Sequence, residues 1–408
     1  MFPFRTVVLG ALIPAFVFSA GLGAILPIIA PFAVEQGATL AMAGLIAAML
    51  PVGQILADLP AGALASKLGD RMAMLLAGSL AALAFLGAAL SPSLLTLGAA
   101  VLLVGAANAV FHLARHSYLT AVTPACQRAR VLSTLGGVHR IGQFAGPFAG
   151  ALVTLAGDTR AVFLVAVATS VAATVTVLLA KPKPADEGMP EPGSSAGAPA
   201  GPGPTLLGIL VEHRRMFWSL GLVALLVGGI RGARQQVIPL WGEHIGLDPT
   251  TISLIFGLAG GVDMLLFYPA GKVMDRFGRL WLGVPAMLML GAAMALVPTT
   301  ATALGLSAVG ILLGFANGLG SGIMMTISSD VSPAEGRPQF LGIWRLITDL
   351  GMGAGPLMLS AGAGLGSLAA GIWAVSACGP LSAWGMQRWL PRYSDHANRT
   401  TRRRAGLL

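Results

Sequence analysis

The sequence predicts an all-α polytopic membrane protein of twelve transmembrane helices, and three observations carry that prediction. Of 408 residues, 55% are hydrophobic and only 10% charged. A soluble domain carries roughly 25% charged residues, so a water-facing surface of ordinary polarity cannot be built from this chain. Apolar runs of about 20 residues recur along it, the length that spans ~30 Å of hydrocarbon as a helix. The third observation is where the 25 Lys and Arg residues fall once those runs are taken as spans.

In chain order, the runs predict helices over 7–32, 39–65, 71–91, 94–121, 131–157 and 161–180, then 217–241, 250–272, 280–298, 302–329, 338–362 and 364–387. The N-terminus, Met1–Arg5 followed by an apolar run without a convincing cleavage site, reads as a retained first helix. Placing that end in the cytoplasm puts 19 Lys and Arg residues in cytoplasmic loops or tails, five within spans and only Arg160 outside. A bias of that size over short loops orients the chain with both termini inside, as a multi-pass protein of the inner (plasma) membrane. It also accounts for the net charge of +9 without nucleic acid. The tail Arg399–Arg404 then reads as an anchor near anionic headgroups.

The segment 181–204 holds seven prolines among Gly, Ala and Ser and predicts a flexible linker. After it, 205–215 resumes an amphipathic pattern suited to the membrane surface. The expected organisation is therefore an N-terminal six-helix bundle (1–180), a cytoplasmic linker (181–216), a C-terminal six-helix bundle (217–387) and a basic tail (388–408). Shifted by 209 residues, the second half matches the first without a gap from Pro60 to Pro147. The rarer coincidences carry that match: Pro60 with Pro269, Asn108 with Asn317, Pro124 with Pro333, Arg128 with Arg337 and Pro147 with Pro356. A parallel six-helix repeat is one transporter architecture, with the substrate site near mid-membrane between repeats.

The stretch Pro269–Arg279, PAGKVMDRFGR, joins two apolar runs by a tight basic turn, and a degraded copy, PAGALASKLGDR, lies at Pro60–Arg71. Gly271 and Gly278 permit close backbone approach. Asp275 can accept from the unpaired N–H groups of a neighbouring helix N-terminus. Lys272, Arg276 and Arg279 mark the turn as cytoplasmic.

On these residues the chain resembles the major facilitator superfamily over nearly its full length. The family loop signature G-x-x-x-D-R-x-G-R is met by Gly271, Asp275, Arg276, Gly278 and Arg279. The first copy keeps Gly62, Leu64, Lys67, Gly69 and Arg71, while Ser66 replaces the acidic residue to which the family assigns gating and Asp70 stands where a base is usual. A second signature, GxxxGPxxG, is formed by Gly142, Gly146, Pro147 and Gly150; it resembles the mark of exporters, particularly drug/proton antiporters. Physically it makes one smooth helix face with a proline that permits a bend. Gly351, Gly355 and Pro356 repeat it in the eleventh span.

Ionisable groups inside spans are costly and mark function. Here they are Asp58, Asp263 and Asp349 against Arg115, Arg140, Arg231, Arg234 and Arg345. Arg115 and His116, close to a cytoplasmic end, are expected to snorkel. Arg231 and Arg234 share a helix face, either pointing into a cavity or satisfied by carbonyls and Glu243. His112 and His139 suit a proton relay or a neutral, hydrogen-bonded core. Asn108 and Asn317 suit interhelical hydrogen bonds. The resemblance places the fifth span beside the eighth and the second beside the eleventh. Arg140 and Asp263 each lie about nine residues from a cytoplasmic end, ~14 Å deep, and Asp58 and Arg345 about seven. Two ion pairs across the boundary between halves are therefore expected, closed when the cytoplasmic side is closed and separated when it opens.

Cys126 and Cys378 imply neither a disulfide framework nor a metal site. No nucleophile–base pair, phosphate loop or metal-spaced cluster supports an enzyme, and no cofactor is implied. The expected function is secondary active transport, with proton-coupled efflux of small organic or amphiphilic compounds by alternating access. One alternative is an organic-anion transporter or exchanger using the embedded arginines. Another is a non-transporting membrane receptor or scaffold. The expected partners are the small-molecule substrate, protons and the bilayer, with the protein a monomer.

Overall fold

Short polar residues start the helices of this chain, and glycines turn between them. Thr39, Ser93, Asp248, Thr302 and Ser367 occupy helix N-caps, each accepting from the backbone N–H three residues on. They satisfy donors that a first turn leaves unpaired. The computed structural model describes residues 8–123, 125–180, 206–333 and 335–406, and every element among them is helical. Most of the expected linker, 181–205, lies outside the described residues, as do the side chains of Ser66 and Asp275.

The longer elements are α1 (Ile13–Ile25), α2 (Ile29–Glu35), α3 (Leu40–Leu68), α4 (Asp70–Ala89), α5 (Leu94–Val122), α6 (Ala125–Thr154) and α7 (Arg160–Leu179). Beyond 205 follow α8 (Leu206–Glu212), α9 (Leu222–His244), α10 (Pro249–Phe277), α11 (Arg279–Leu296), α12 (Ala303–Leu319), α13 (Ile323–Val331), α14 (Arg337–Gly364), α15 (Leu368–Ser376), α16 (Cys378–Tyr393) and α17 (Arg399–Arg404).

Among the described residues, nine helices are long and apolar enough to cross a membrane, and ten if the bent pair Gly10–Ile25 and Ile29–Glu35 is one span. The two long helices outside that count are α6 and α14, as long as their neighbours but interrupted by Arg140 in one and by Arg345 and Asp349 in the other. By length and composition, up to ten of the expected twelve spans are therefore found among the described residues.

Two expected spans are broken. The first bends by 42° between α1 and α2, where Pro27 offers no N–H to continue the ladder. The tenth, expected over 302–329, stops at Leu319 and restarts at Ile323, with Gly322 left-handed at φ 79°. The sequence signal for that break was the run Gly318, Gly320, Gly322. The fifth helix starts at Ala125 rather than 131, because charged residues end an apolar run without ending a helix.

The offset of 209 reappears in the backbone. Gly37 and Gly246, Gly69 and Gly278, and Gly157 and Gly366 all carry positive φ. The caps Thr39 and Asp248, and Ser93 and Thr302, are also equivalent. A Cβ at Gly105 would stand 2.0 Å from the Leu50 carbonyl oxygen, and one at Gly314 2.1 Å from that of Ala259. In packing, α3 lies on α5, α1 on α6 and α7, and α4 on α5 and α7; beyond the linker, α9 lies on α14, α10 on α12, and α11 on α12 and α16. Two seams join these groups, α3 with α14 and α6 with α10.

Candidate functional site

The exporter-like glycine pattern forms backbone-to-backbone contacts. A Cβ at Gly146 would sit 2.3 Å from the Ala20 carbonyl oxygen, and one at Gly142 2.6 Å from that of Phe16, so the pattern seats α6 on α1. A Cβ at Gly150 would sit less tightly, 3.0 Å from the Ala24 carbonyl. Gly351 and Gly355 do the same for α14 on α9, at 2.1 Å from the Leu225 oxygen and 2.0 Å from the Gly229 oxygen. Pro147 and Pro356 lie inside those helices.

The two basic turns differ in detail. Gly69 (φ 80°) and Gly278 (φ 99°) each link two helices in a conformation that side chains resist. A Cβ at Gly278 would also meet the Ala397 carbonyl at 3.0 Å. The expectation of close approach fails at Gly271, where a Cβ meets nothing within 4 Å, and at Gly62 it meets only Leu113, at 4.0 Å. Arg71 donates to the carbonyls of Leu178 (2.8 Å) and Val177 (3.4 Å), capping the end of α7. Arg279 is buried and grips Asp330 through two bonds, at 2.9 and 3.4 Å. Arg276 and Arg399 both lie over the Phe277 ring, and Arg402 donates to the Arg276 carbonyl (2.9 Å). His396 and Ala397 accept from the backbone N–H groups of Arg279 and Leu280. The tail thus packs on the second turn, with Arg403 and Arg404 exposed. Lys67 is exposed at the end of α3.

Two charge clusters bridge the seams. In the α6–α10 seam, Arg140 Nη1 lies 3.9 Å from Asp263 Oδ1, and Arg140 Nη2 donates to Ser321 Oγ at 2.7 Å. Arg234 Nη2 reaches Asp263 Oδ2 at 3.3 Å, and Asn317 Nδ2 donates to the same oxygen at 2.8 Å. Arg231, one turn back on α9, donates to the Gly320 carbonyl at the helix break. The carbonyl alternative for Arg231 therefore applies, while Arg234 takes Asp263 instead of Glu243. In the α3–α14 seam, Arg345 Nη2 lies 3.5 Å from Asp58 Oδ1 and Arg345 Nε 3.3 Å from Asp349 Oδ2. Arg140 and Asp349 occupy equivalent positions of the repeat, so the same site is basic on one side and acidic on the other.

Against the first cluster lies a small, partly open cavity of about 70 Å³. Arg140, Gln143, Arg234, Gln235 and Asp263 form its polar wall. Leu26, Phe144, Ile238, Phe256 and Met264 form the apolar wall. Sequence reasoning missed Gln143, Gln235 and Ser321. Gln235 directly follows Arg234 and Gln143 lies three residues after Arg140, and an embedded polar amide was signal enough.

Arg115 does not snorkel. It is 1% exposed, over the Phe111 ring, which itself stacks on Phe18 at 4.4 Å. His139 Nδ1 lies 2.5 Å from Ser19 Oγ, and its ring meets His112 edge-on at 5.7 Å. Asn317 makes the interhelical bond expected of it; Asn108 makes none among the described residues.

The bonds that join the two groups of helices run from the face opposite the basic turns to the depth of the clusters. Thr154 and Thr250 pair at 2.9 Å, and Ser360 donates to the Ala41 carbonyl at 2.6 Å. On the side of the basic turns, a Cβ at Gly136, Gly137, Gly271 or Gly342 meets nothing within 4 Å. Both ion pairs are nevertheless made.

The sequence matches the model of the Major Facilitator Superfamily over residues 11–356. The chain belongs to that family and is a transporter rather than an enzyme. Its fold is shared by the crystal structure of nucleoside transporter NupG, at TM-score 0.73 and 14% identity over 93% of this chain and 97% of that one. The crystal structure of a D-xylose-proton symporter matches at 0.66 and 15%, covering 97% and 99%. A bacterial homolog to the human lysosomal transporter Spinster, in an inward-facing and unoccupied conformation, matches at 0.69 and 15%, covering 94% and 95%. No curated protein matches the sequence.

Proposed function

We propose that this protein is a proton-coupled exporter of small organic or amphiphilic compounds, working by alternating access as a monomer in the inner membrane. Its two groups of helices act as six-span bundles, with α6 and α14 completing twelve spans, on either side of the cavity beside Asp263. Both termini, the 181–216 linker and the basic turns face the cytoplasm, as the placement of Lys and Arg supports. The observation that carries the reading is the pair of charge clusters across the two seams, one of them lining the cavity.

The acidic cluster suits the proton. Asp58 and Asp349 share the single guanidinium of Arg345, so one negative charge is unbalanced and one bound proton neutralises it. Joins at the outer face and unfilled space beside the glycines of the basic end support a state open to the cytoplasm. The turn signature with Asp275 serves as a latch of the cytoplasmic side, and the GxxxGPxxG seam as the pivot. Export rests on the resemblance of that seam to the exporter pattern.

The test is accumulation of a panel of amphiphilic compounds in inverted vesicles with an acidic lumen. Accumulation should require the protein, collapse with an uncoupler, and fall at least tenfold in Asp58→Asn with Asp349→Asn. Transport that survives complete uncoupling would sink the proton-coupled reading.

A further inference from the structure

The cavity wall holds more positive charge than it balances. Arg140 and Arg234 face one carboxylate, Asp263, and Arg231, one turn back on α9, has no carboxylate partner among the described residues. Arg231 is committed to the Gly320 carbonyl through Nη2, and the Nε atoms of Arg231 and Arg234 are buried without an acceptor among the described residues. Buried charge without a counter-ion is costly. A guanidinium fork, moreover, matches the two oxygens of a carboxylate. Phe144 and Ile238, one turn along from Arg140 and Arg234 on the same helices, and Phe256 offer apolar surface to the rest of a ligand.

We infer that the transported compound is a small organic carboxylate, its anionic head on Arg234 and Arg140 and its apolar body against Phe144 and Phe256. This rests on the transport reading above and names its substrate class. Asp263 holds the arginines together when the cavity is empty, and the substrate head takes over part of that role. A monoanion fits better than a phosphate dianion, because Arg140 and Arg234 exceed Asp263 by one charge at the wall and the remaining lining is amide or apolar. Gln143 and Gln235 supply neutral donors beside the head. The substrate site thus lies in the basic cluster and the proton site in the acidic one, so the two ions bind to different seams of the same two bundles.

The test is equilibrium binding to the purified full chain in detergent, with no gradient, so a failure of coupling or direction leaves the readout untouched. The probes are radiolabelled 4-phenylbutyrate, with 4-phenylbutyramide, 4-phenylbutylamine and phenyl phosphate as competitors. Saturable 4-phenylbutyrate binding is expected, with each competitor about tenfold weaker or worse, the effect of one charge-assisted hydrogen bond. Arg234→Gln should weaken the carboxylate about tenfold. Gln235→Glu, which removes no arginine and adds a negative charge to the wall, should weaken the carboxylate and strengthen the amine. Three results would each overturn the inference: absent saturable binding of 4-phenylbutyrate, benzoate and octanoate alike; an amine that binds the unaltered protein as tightly as the acid; or a Gln235→Glu protein with the same order of preference.

Discussion

Arg140 on α6 reaches across a seam to Asp263 on α10, Nη1 to Oδ1 at 3.9 Å, and the same carboxylate takes Arg234 at 3.3 Å on its other oxygen. The second bridge, Arg345 to Asp58 at 3.5 Å, looks similar on paper, but its arginine is 56% exposed while the side chain of Asp263 is only 12% exposed. Solvent screens the second pair, and exposed pairs contribute about 1 kcal/mol or less. Removing Asp263 strands two guanidiniums in low dielectric, at a cost of about 3–5 kcal/mol. Asp263→Ala should therefore lower the midpoint of thermal unfolding far more than Asp58→Ala in the same detergent. Equal shifts would mean that burial does not separate the two clusters.

The clusters also differ in how they tolerate a charge swap. Asp58→Arg combined with Arg345→Asp leaves one guanidinium facing two carboxylates, because Asp349 stays in place. Gradient-driven accumulation, lost at least tenfold in either single variant, should return in the double. Arg140→Asp combined with Asp263→Arg places the new guanidinium against Arg234 and Asn317, and should rescue nothing. Rescue of the second swap, or none of the first, would show that the neighbours of each pair do not set its behaviour.

Glycines of one sequence motif should respond differently. Gly146→Ala and Gly355→Ala drive a methyl group to 2.3 and 2.0 Å from backbone oxygens, and overpacking of this kind costs about 1–3 kcal/mol. Gly271→Ala meets open space and should be tolerated, whereas Gly278→Ala combines φ 99° with a carbonyl at 3.0 Å and should not be. Yield of monodisperse protein and its unfolding midpoint read the series; a Gly271→Ala protein as damaged as Gly278→Ala would contradict the geometry.

The tail is predicted to be a structural part of the basic turn. Ending the chain after Tyr393 removes the carbonyl oxygens of His396 and Ala397 from the amides of Arg279 and Leu280. Hydrogen exchange at those two amides should then quicken about tenfold or more, with the core of α11 unchanged. Unchanged exchange at both would show that the tail contact is dispensable.

Much of the architecture was legible in one dimension because its causes are local. A helix in lipid must close its own hydrogen bonds, so apolar length locates helices. The Gly-rich faces of α6 and α14 were readable too, since only glycine allows backbones so close. Their partners, α1 and α9, were not, because nothing in the spacing of Gly142 and Gly146 says which backbone they meet.

What the sequence determined by itself was the helical class, the repeat at an offset of 209 residues, and the depth at which each embedded charge must lie. Depth follows from counting residues at a fixed rise per residue, and this brought Arg140 with Asp263 and Asp58 with Arg345 into consideration as pairs. The tertiary structure alone decided the rest: that Asp263 is shared by Arg234 and Asn317, that Asp349 joins Asp58 on one guanidinium, that α12 breaks where Arg231 can reach Gly320, and that Arg115 is sealed beneath Phe111. The reason is physical. Rise per residue sets how deep a side chain lies, but the rotation of each helix about its axis sets what that side chain faces, and that rotation is chosen by packing of the whole bundle.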